Sequence, residues 1–355
     1  MDMSYSDDDD DRGIDELRAE REALIALGDR LPGSAIGDLA AELGQGASWP
    51  RNLRGTPMIV DTDIGGDPDD AIALAAAART VPELALVLTN DETGGAAGYG
   101  QRARFARFLL SLMGCRDVRV VAGHSVGDSR YFCAGPLIHE AVPAQPTDVV
   151  GAVRELLETF EGPVRWVGMG AFSNLARVLE EIPEAGERLQ VTQMGGAINY
   201  RDPSRAEHNV RMDVDAAHRV FAAVESGRLP ELRLVTSDVT FRPEMEVTRE
   251  SGLYRMLGET GGRGWQGLLR AHLNQWFSSF HPGSMQHDAL TLTAALRKTF
   301  VNMNLARVRL DELGRMSLSD SGTEVWMSAS AKYEPFNRWL EKTLTTVDHS
   351  TDVRR

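Results

Sequence analysis

Half of the residues from Asp61 to Asp70 are aspartates: Asp61, Asp63, Asp67, Asp69 and Asp70. Before them stands the apolar triplet Met58-Ile-Val60, and after them the run Ala71-Ile-Ala-Leu74. The triplet reads as a buried strand and the run as a helix, so the acids fall where strand gives way to helix. In open α/β sheets that end of a strand is where ligands bind. Asp67 fits an N-cap and Pro68 the first helical position, which puts Asp69 and Asp70 in the first turn, where the helix dipole favours anions. A cap needs one acid, however, and not five. Like charges held this closely raise one another's pKa unless a cation sits among them. A hard divalent cation with oxygen ligands meets that need, and calcium tolerates an irregular carboxylate cage better than magnesium does.

The rest of the chain limits the partners. A formal net charge of −14 over 355 residues leaves no basic face for nucleic acid or an anionic membrane. No apolar run approaches the roughly 20 residues of a membrane span, and no charged-then-apolar leader pattern opens the chain, so a cytoplasmic protein is expected. Cys115 and Cys133 form neither a disulfide framework nor a metal-ligand spacing.

Residues 1–13 read as a disordered acidic tail and 14–52 as an extension with one helix over 14–30, whose stripe of Ile14, Leu17, Leu24 and Leu27 would dock on its own domain or on a neighbouring subunit. From residue 53 to 349 strands and helices alternate. Strands are expected at 58–60, 84–88, 118–121, 164–167, 190–194 and 232–235. Helices are expected at 69–79, 101–113, 147–159, 174–181 and 214–226. That rhythm predicts an α/β fold in one large domain: a Rossmann-like, open, mostly parallel sheet with helices on both faces. Residues 350–355 read as a frayed end.

Four further segments add polar groups near strand ends or helix starts. Gly168-Met-Gly-Ala-Phe-Ser-Asn174 follows an apolar strand and offers either a close backbone approach to a ligand or a plain turn capped by Ser173. Met194-Gly-Gly196 ends another strand and precedes Glu207 and Asn209, which in an extended stretch would point the same way, as a clamp on sugar hydroxyls needs. His287 and Asp288 precede an apolar helical run and present an imidazole with a carboxylate. The aromatic and glycine-rich stretches 262–266 and 276–283 suit either a flap over a planar ligand or core aromatics.

Taken in order, these segments resemble the nucleoside hydrolases of the calcium-dependent inosine–uridine type. Asp61-Thr-Asp63, Gly65 and Asp69-Asp70-Ala-Ile-Ala-Leu74 are similar to that family's opening motif. Gly170-Ala-Phe-Ser-Asn174 resembles its Gly-Pro-Leu-Thr-Asn, and Met194-Gly-Gly196 its Met-Gly-Gly. Glu207-His-Asn209 resembles Glu-Phe-Asn, and His287-Asp288 its His-Asp. The resemblance implies hydrolysis of the N-glycosidic bond of a nucleoside, within nucleoside metabolism and base salvage, by a homodimer or homotetramer. It implies calcium ligands in Asp63, Asp70, Asp288 and the carbonyl of Ser173, with Asp63 also the general base. Asp69, Asn90, Met194, Glu207 and Asn209 would bind substrate, and His287 would stand near the leaving base. Several features depart from the family pattern. The acidic loop is two residues longer than the family's Asp-x-Asp-x-Gly-x-Asp-Asp, so the pair can be counted at Asp67 or at Asp69-Asp70, and Ala71-Ile-Ala-Leu74 after it favours the latter. Thr89-Asn-Asp-Glu92 stands where Gly-Asn is usual, leaving Asn90, Asp91 and Glu92 all candidates. His208 replaces an aromatic residue, and Arg201 occupies the place of an asparagine.

Two other readings compete. A haloacid-dehalogenase-type phosphatase would use Asp61 as nucleophile and Asp63 as acid/base, but it expects threonine or valine where Gly65 stands. It also expects a mid-chain lysine, and none precedes Lys298. A non-catalytic, calcium-dependent binder of ribosyl ligands would have lost turnover through the changes at 89–92 and 201, yet it retains Asp63 and His287.

Overall fold

Strand β1 (Met58–Thr62) is buried along its whole length. Met58 and Val60 pack into one apolar core and Ile59 into a second, because successive side chains leave a strand on opposite faces. A strand that is apolar on both faces belongs in the middle of a helix-covered parallel sheet, and β1 takes that place. In this computed structural model, which describes residues 14–45, 55–92, 98–127, 131–259 and 264–345, the main sheet has nine strands.

The chain runs outward from β1 to β2 (Leu84–Asp91) and β3 (Arg119–Ser125) on one side. It then returns to β1's other flank and continues through β4 (Val164–Gly168), β5 (Leu189–Met194) and β6 (Leu232–Val235). All these neighbours pair in parallel. A two-stranded antiparallel ribbon, β7 (Glu246–Val247) with β8 (Ser284–Met285), lies apart from the main sheet. Beyond β6, β11 (Thr323–Ala331) adds in parallel, and β9 (Val301–Leu310) runs antiparallel to both β11 and β10 (Met316–Leu318).

Helices Asp69–Thr80, Gln101–Leu112, His287–Ala295 and Tyr333–Thr345 share the core of Val60, while Val149–Thr159, Ser173–Glu181 and Val214–Glu225 share that of Ile59. Each fully buried Leu, Ile or Phe contributes roughly 1.5–3 kcal/mol. Two such cores offset the cost of holding several acids out of water at the site they frame. The expected fold class is therefore the observed one.

The differences have local causes. β2 runs three residues past Leu88, because Thr89 pairs with Thr62 and Ala122, and Asp91 with Ser125 across a register shift at Asn90. The acidic helix starts at Asp69, as expected, but Pro68 and not Asp67 stands at its N-cap. Pro68 already has helical angles (φ −68, ψ −7), and Asp67 spends its carboxylate on the Ser284 hydroxyl. Glu207 and Asn209 do not lie in an extended stretch: Glu207 caps the short helix His208–Met212. Of the two readings left open for 262–266 and 276–283, core packing fits helix Gly264–Ser279, whose Leu268, Leu269, Leu273 and Trp276 form a buried face at helical spacing. The extension holds a second helix, Ala35–Gln45, against Ile14–Gly28, and Leu24 and Leu27 of the expected docking stripe remain exposed. Residues 1–13 and 350–355, expected as loose ends, lie outside the described residues. Among the described residues, no helix is long and apolar enough to cross a membrane.

Candidate active site

Strand order reverses at the β1–β4 boundary, the place where open α/β sheets bind their ligands. The predicted site residues come from the ends of β1, β2 and β5 and from the starts of helices Asp69–Thr80, Ser173–Glu181, His208–Met212 and His287–Ala295. The backbone amides of Met169 and Gly170 donate to the Asp61 carbonyl at 2.6 and 3.3 Å, tying the β4 exit to β1. Close approach sets two glycines. A Cβ on Gly170 would lie 3.0 Å from the Asn90 amide and 3.1 Å from the Asp63 nitrogen. Gly65 has φ +111, and a Cβ there would meet the Phe132 ring at 2.7 Å.

The carboxylates fall into two linked groups. Oxygens of Asp69, Asp70 and Asp288 lie within 4.8 Å of one another, as do ligand atoms of Asp63, Glu92 and His208. A hydrogen bond between Asp63 and Asp70 joins the groups. Thr62 donates its hydroxyl to Asp70. Burial, then their neighbours' charge, pushes Asp70 and Asp288 well above the ordinary carboxylate range. Asp69 rises to about 7 through burial and the charge of Asp63. Asp63 also rises to about 7, through burial and the charge of Glu92. Acids that resist ionisation together are what a cation site needs before its cation arrives. Asn90 Oδ1 and Glu92 Oε1 are buried without hydrogen-bond partners, so further oxygen donors stand ready. The donor set is entirely hard and suits a hard divalent ion.

Asp61 has a different task. Its Oδ1 accepts from Asn90 at 3.0 Å and Asn174 at 2.8 Å, and burial raises its pKa well above normal. A buried, doubly bonded acid that resists ionisation makes a poor nucleophile, which removes the phosphatase reading's first step. Of the three candidates after β2, Asn90 and Glu92 turn into the site, whereas the Asp91 carboxylate accepts from the Gly100 amide at 2.5 Å.

Arg102 escaped the sequence reading. Only 1% exposed, it donates to the carbonyls of Asp63, Ile64 (3.2 Å) and Tyr131 (3.0 Å) and lies 4.0 Å from Glu92. It thereby holds the loop that carries Asp63. The available signal was its helical face, shared with Phe105, Ala106 and Leu109 at spacings of three, four and seven. His208 sits 3.2 Å from Glu92 and 3.9 Å from Asp63. Burial opposes its protonation, but Glu92 and Asp63 more than offset that, and its pKa is raised. Burial likewise works to raise Glu92, and His208 and Arg102 reverse it.

Glu207 Oε2 accepts from the backbone amides of Gly196 and Asn209, both at 3.0 Å. Asn209 donates to the Met169 carbonyl at 2.7 Å and the Met194 carbonyl at 3.3 Å. The structure thus brings Glu207, Asn209 and Met194 together through a capped turn. Ser173 begins its helix and does not cap it; its hydroxyl donates to Asp213 at 2.6 Å. His287 Nδ1 lies 2.6 Å from the Thr240 hydroxyl, and its Nε2 has no partner among the described residues. Burial, then the charges of Arg201 and His208, lowers His287 to about 3, so its imidazole is neutral. Tyr131, Trp276 and Phe280 form an aromatic cluster with centroids 5.1–5.8 Å apart, and Tyr131 meets His208 edge-on at 6.3 Å.

Buried carboxylates flanked by imidazoles at the strand-order reversal are a chemistry suited to metal-assisted hydrolysis, and solved structures share the fold over most of this chain. An inosine–uridine preferring nucleoside hydrolase from Bacillus anthracis aligns with a TM-score of 0.66 at 18% identity, over 82% of this chain and 100% of its own. A purine-preferring ribonucleoside hydrolase from Gardnerella vaginalis aligns at 0.65 and 18%, over 82% and 98%. By sequence, a non-specific ribonucleoside hydrolase of Salmonella schwarzengrund is 27% identical over 76% of this chain and 86% of the relative. Residues 58–349 match the inosine–uridine preferring nucleoside hydrolase family, and the chain belongs to it. It is an enzyme that hydrolyses the N-glycosidic bond of ribonucleosides.

Proposed function

We propose that Asp63, Asp70, Asp288 and the carbonyl of Ser173 hold a calcium ion, and that Asp63 takes the proton of the water attacking the anomeric carbon. The observation that carries this reading is the buried cluster of acids with raised pKa values at the end of β1. Bound there, the ion supplies the positive charge that lets these carboxylates ionise together and makes a nearby water easier to deprotonate. Asp69 accepts a ribose hydroxyl, and Asn90, Met194, Glu207 and Asn209 hold the sugar. Cleavage builds oxocarbenium character on the ribose, as in other glycoside hydrolysis, and buried carboxylates beside it favour that charge. Neutral His287 offers Nε2 to the departing base while Thr240 engages Nδ1. The curated relatives' description as non-specific supports a broad base range. The family resemblance extends the reading to a cytoplasmic homodimer or homotetramer, with 53–349 as the catalytic unit and 14–52 appended.

The test is release of free ribose and free base from inosine, adenosine, guanosine, uridine, cytidine and their 2′-deoxy forms, with calcium or with chelator. Chelator-sensitive cleavage of a ribonucleoside, with the deoxy form resisting, supports the mechanism. Silence across the panel with calcium demonstrably bound points to the non-catalytic binder of ribosyl ligands.

A further inference from the structure

Arg201 is a free cation at the mouth of an acidic site. Its guanidinium makes no ion pair or hydrogen bond among the described residues, in a chain with net charge −14. It lies 4.9 Å from the Tyr200 ring centroid and 4.7 Å from that of Phe241. Phe241, 41% exposed, lies parallel to His287 within 10° at 6.3 Å. The row from Arg201 through Phe241 to His287 thus runs from solvent to the reaction centre. Beside Glu207, a cavity of about 310 Å³ is lined in part by Tyr200, Arg205 and Arg315. Arg315 is tied to Asp311 at 2.7 Å, while Arg205 makes no ion pair among the described residues.

Stacking engages the faces of a guanidinium and leaves its N–H edge available, and that planar fork matches two oxygens of a phosphate. We propose that Arg201 binds a phosphate on the substrate, so that the enzyme prefers nucleoside 5′-monophosphates to nucleosides. This rests on the hydrolase reading given above. In that reading Asp69 and the metal site face the ribose diol, and the bond to the base leaves from C1′. C5′ is then the sugar position free to carry a substituent toward the rim.

The experiment compares kcat/KM for adenosine, inosine and uridine, each against its 5′-monophosphate, in calcium-loaded wild type, Arg201→Ala and Arg201→Lys. In at least one pair the monophosphate should exceed its nucleoside tenfold or more. Arg201→Ala should cut that ratio at least tenfold, and Arg201→Lys, which keeps the charge and loses the fork, should fall between. A wild type that prefers the nucleoside in every pair, or a smaller fall in Arg201→Ala, overturns the proposal. If nothing is cleaved, the hydrolase reading fails separately, and calorimetry with ribose 5-phosphate and ribose decides the phosphate site. Binding of ribose 5-phosphate at least tenfold tighter, lost in Arg201→Ala, supports it, and equal binding of the two overturns it.

Discussion

The two ends of the site are built on opposite plans. At the metal end, Asp61, Asp63, Asp69 and Asp70 come from one ten-residue stretch, and short bonds from Thr62, Asn90, Asn174 and Arg102 fix them from every side. At the other end, Tyr131, His208, Phe241, Trp276, Phe280 and His287 come from separate parts of the chain and meet mainly through ring contacts. The first end is electrostatically tense and geometrically fixed. The second is apolar, partly exposed and held by many small terms. Single changes should therefore be severe at the first end and graded at the second.

Asp63→Asn gives the largest expected effect. The amide keeps the shape but can neither take a proton nor carry a charge, so kcat should fall by roughly 10²–10⁴-fold, the usual worth of a positioned base. Near-normal turnover would remove Asp63 as the base. Arg102→Met probes the frame behind it. Three buried carbonyls and Glu92 would lose their cation, and removing one partner of such a buried group costs about 3–5 kcal/mol. Denaturant unfolding measures this, and a loss under 1 kcal/mol would show that the Asp63 loop holds itself.

The same acids set a pH dependence. Asp63 and Asp69 stand at about 7 in the folded, metal-free chain, against 3.8 for a free aspartate. Between those values the folded state binds more protons than the unfolded one, so stability falls as pH rises. Protein kept in chelator should lose Tm from about pH 4 to pH 7, and calcium should restore more at pH 7.5 than at pH 5. A chelated Tm that climbs over this window would mean that the carboxylates are already ionised and balanced without a cation.

This contrast also governs how much the chain disclosed in advance. The metal end was legible because its residues are adjacent in sequence and sit where an apolar triplet meets a helix. The parallel core was legible for a related reason: β1, β2 and β4 are apolar on both faces. Arg102 and Glu92 were harder to place, since a buried cation is recognised by what surrounds it in space. The Glu207–Asn209 pair was read with the wrong period, because a three-residue motif does not distinguish an extended stretch from a capped turn. The antiparallel wing β9–β11 alternates weakly, with exposed Leu305 and Leu318, and gave no clear strand pattern.

At the base end, His287→Ala should slow nucleosides with poor leaving groups by roughly 10–100-fold, about what losing one hydrogen bond from the neutral Nε2–H to the departing base removes from transition-state stabilisation. A nitrophenyl riboside, whose leaving group needs no proton, should slow far less. Equal slowing of both would assign His287 to holding the sugar and leave protonation of the base to another group.

Phe280→Leu should be the mildest change. Phe280 lies 5.4 Å from Tyr131 and 5.1 Å from Trp276, partly exposed, and leucine preserves most of its apolar bulk. What is lost is ring–ring geometry, worth about 0.5–1.5 kcal/mol. If these rings cover the base, that loss should appear as a several-fold rise in KM for nucleosides with kcat nearly unchanged, because stacking holds ground state and transition state alike. A fall in kcat as steep as that of Asp63→Asn would place Phe280 at the reacting atoms and erase the distinction between the two ends. An unchanged KM for every base would move the base away from this cluster, toward the wall formed by Phe241 and His287.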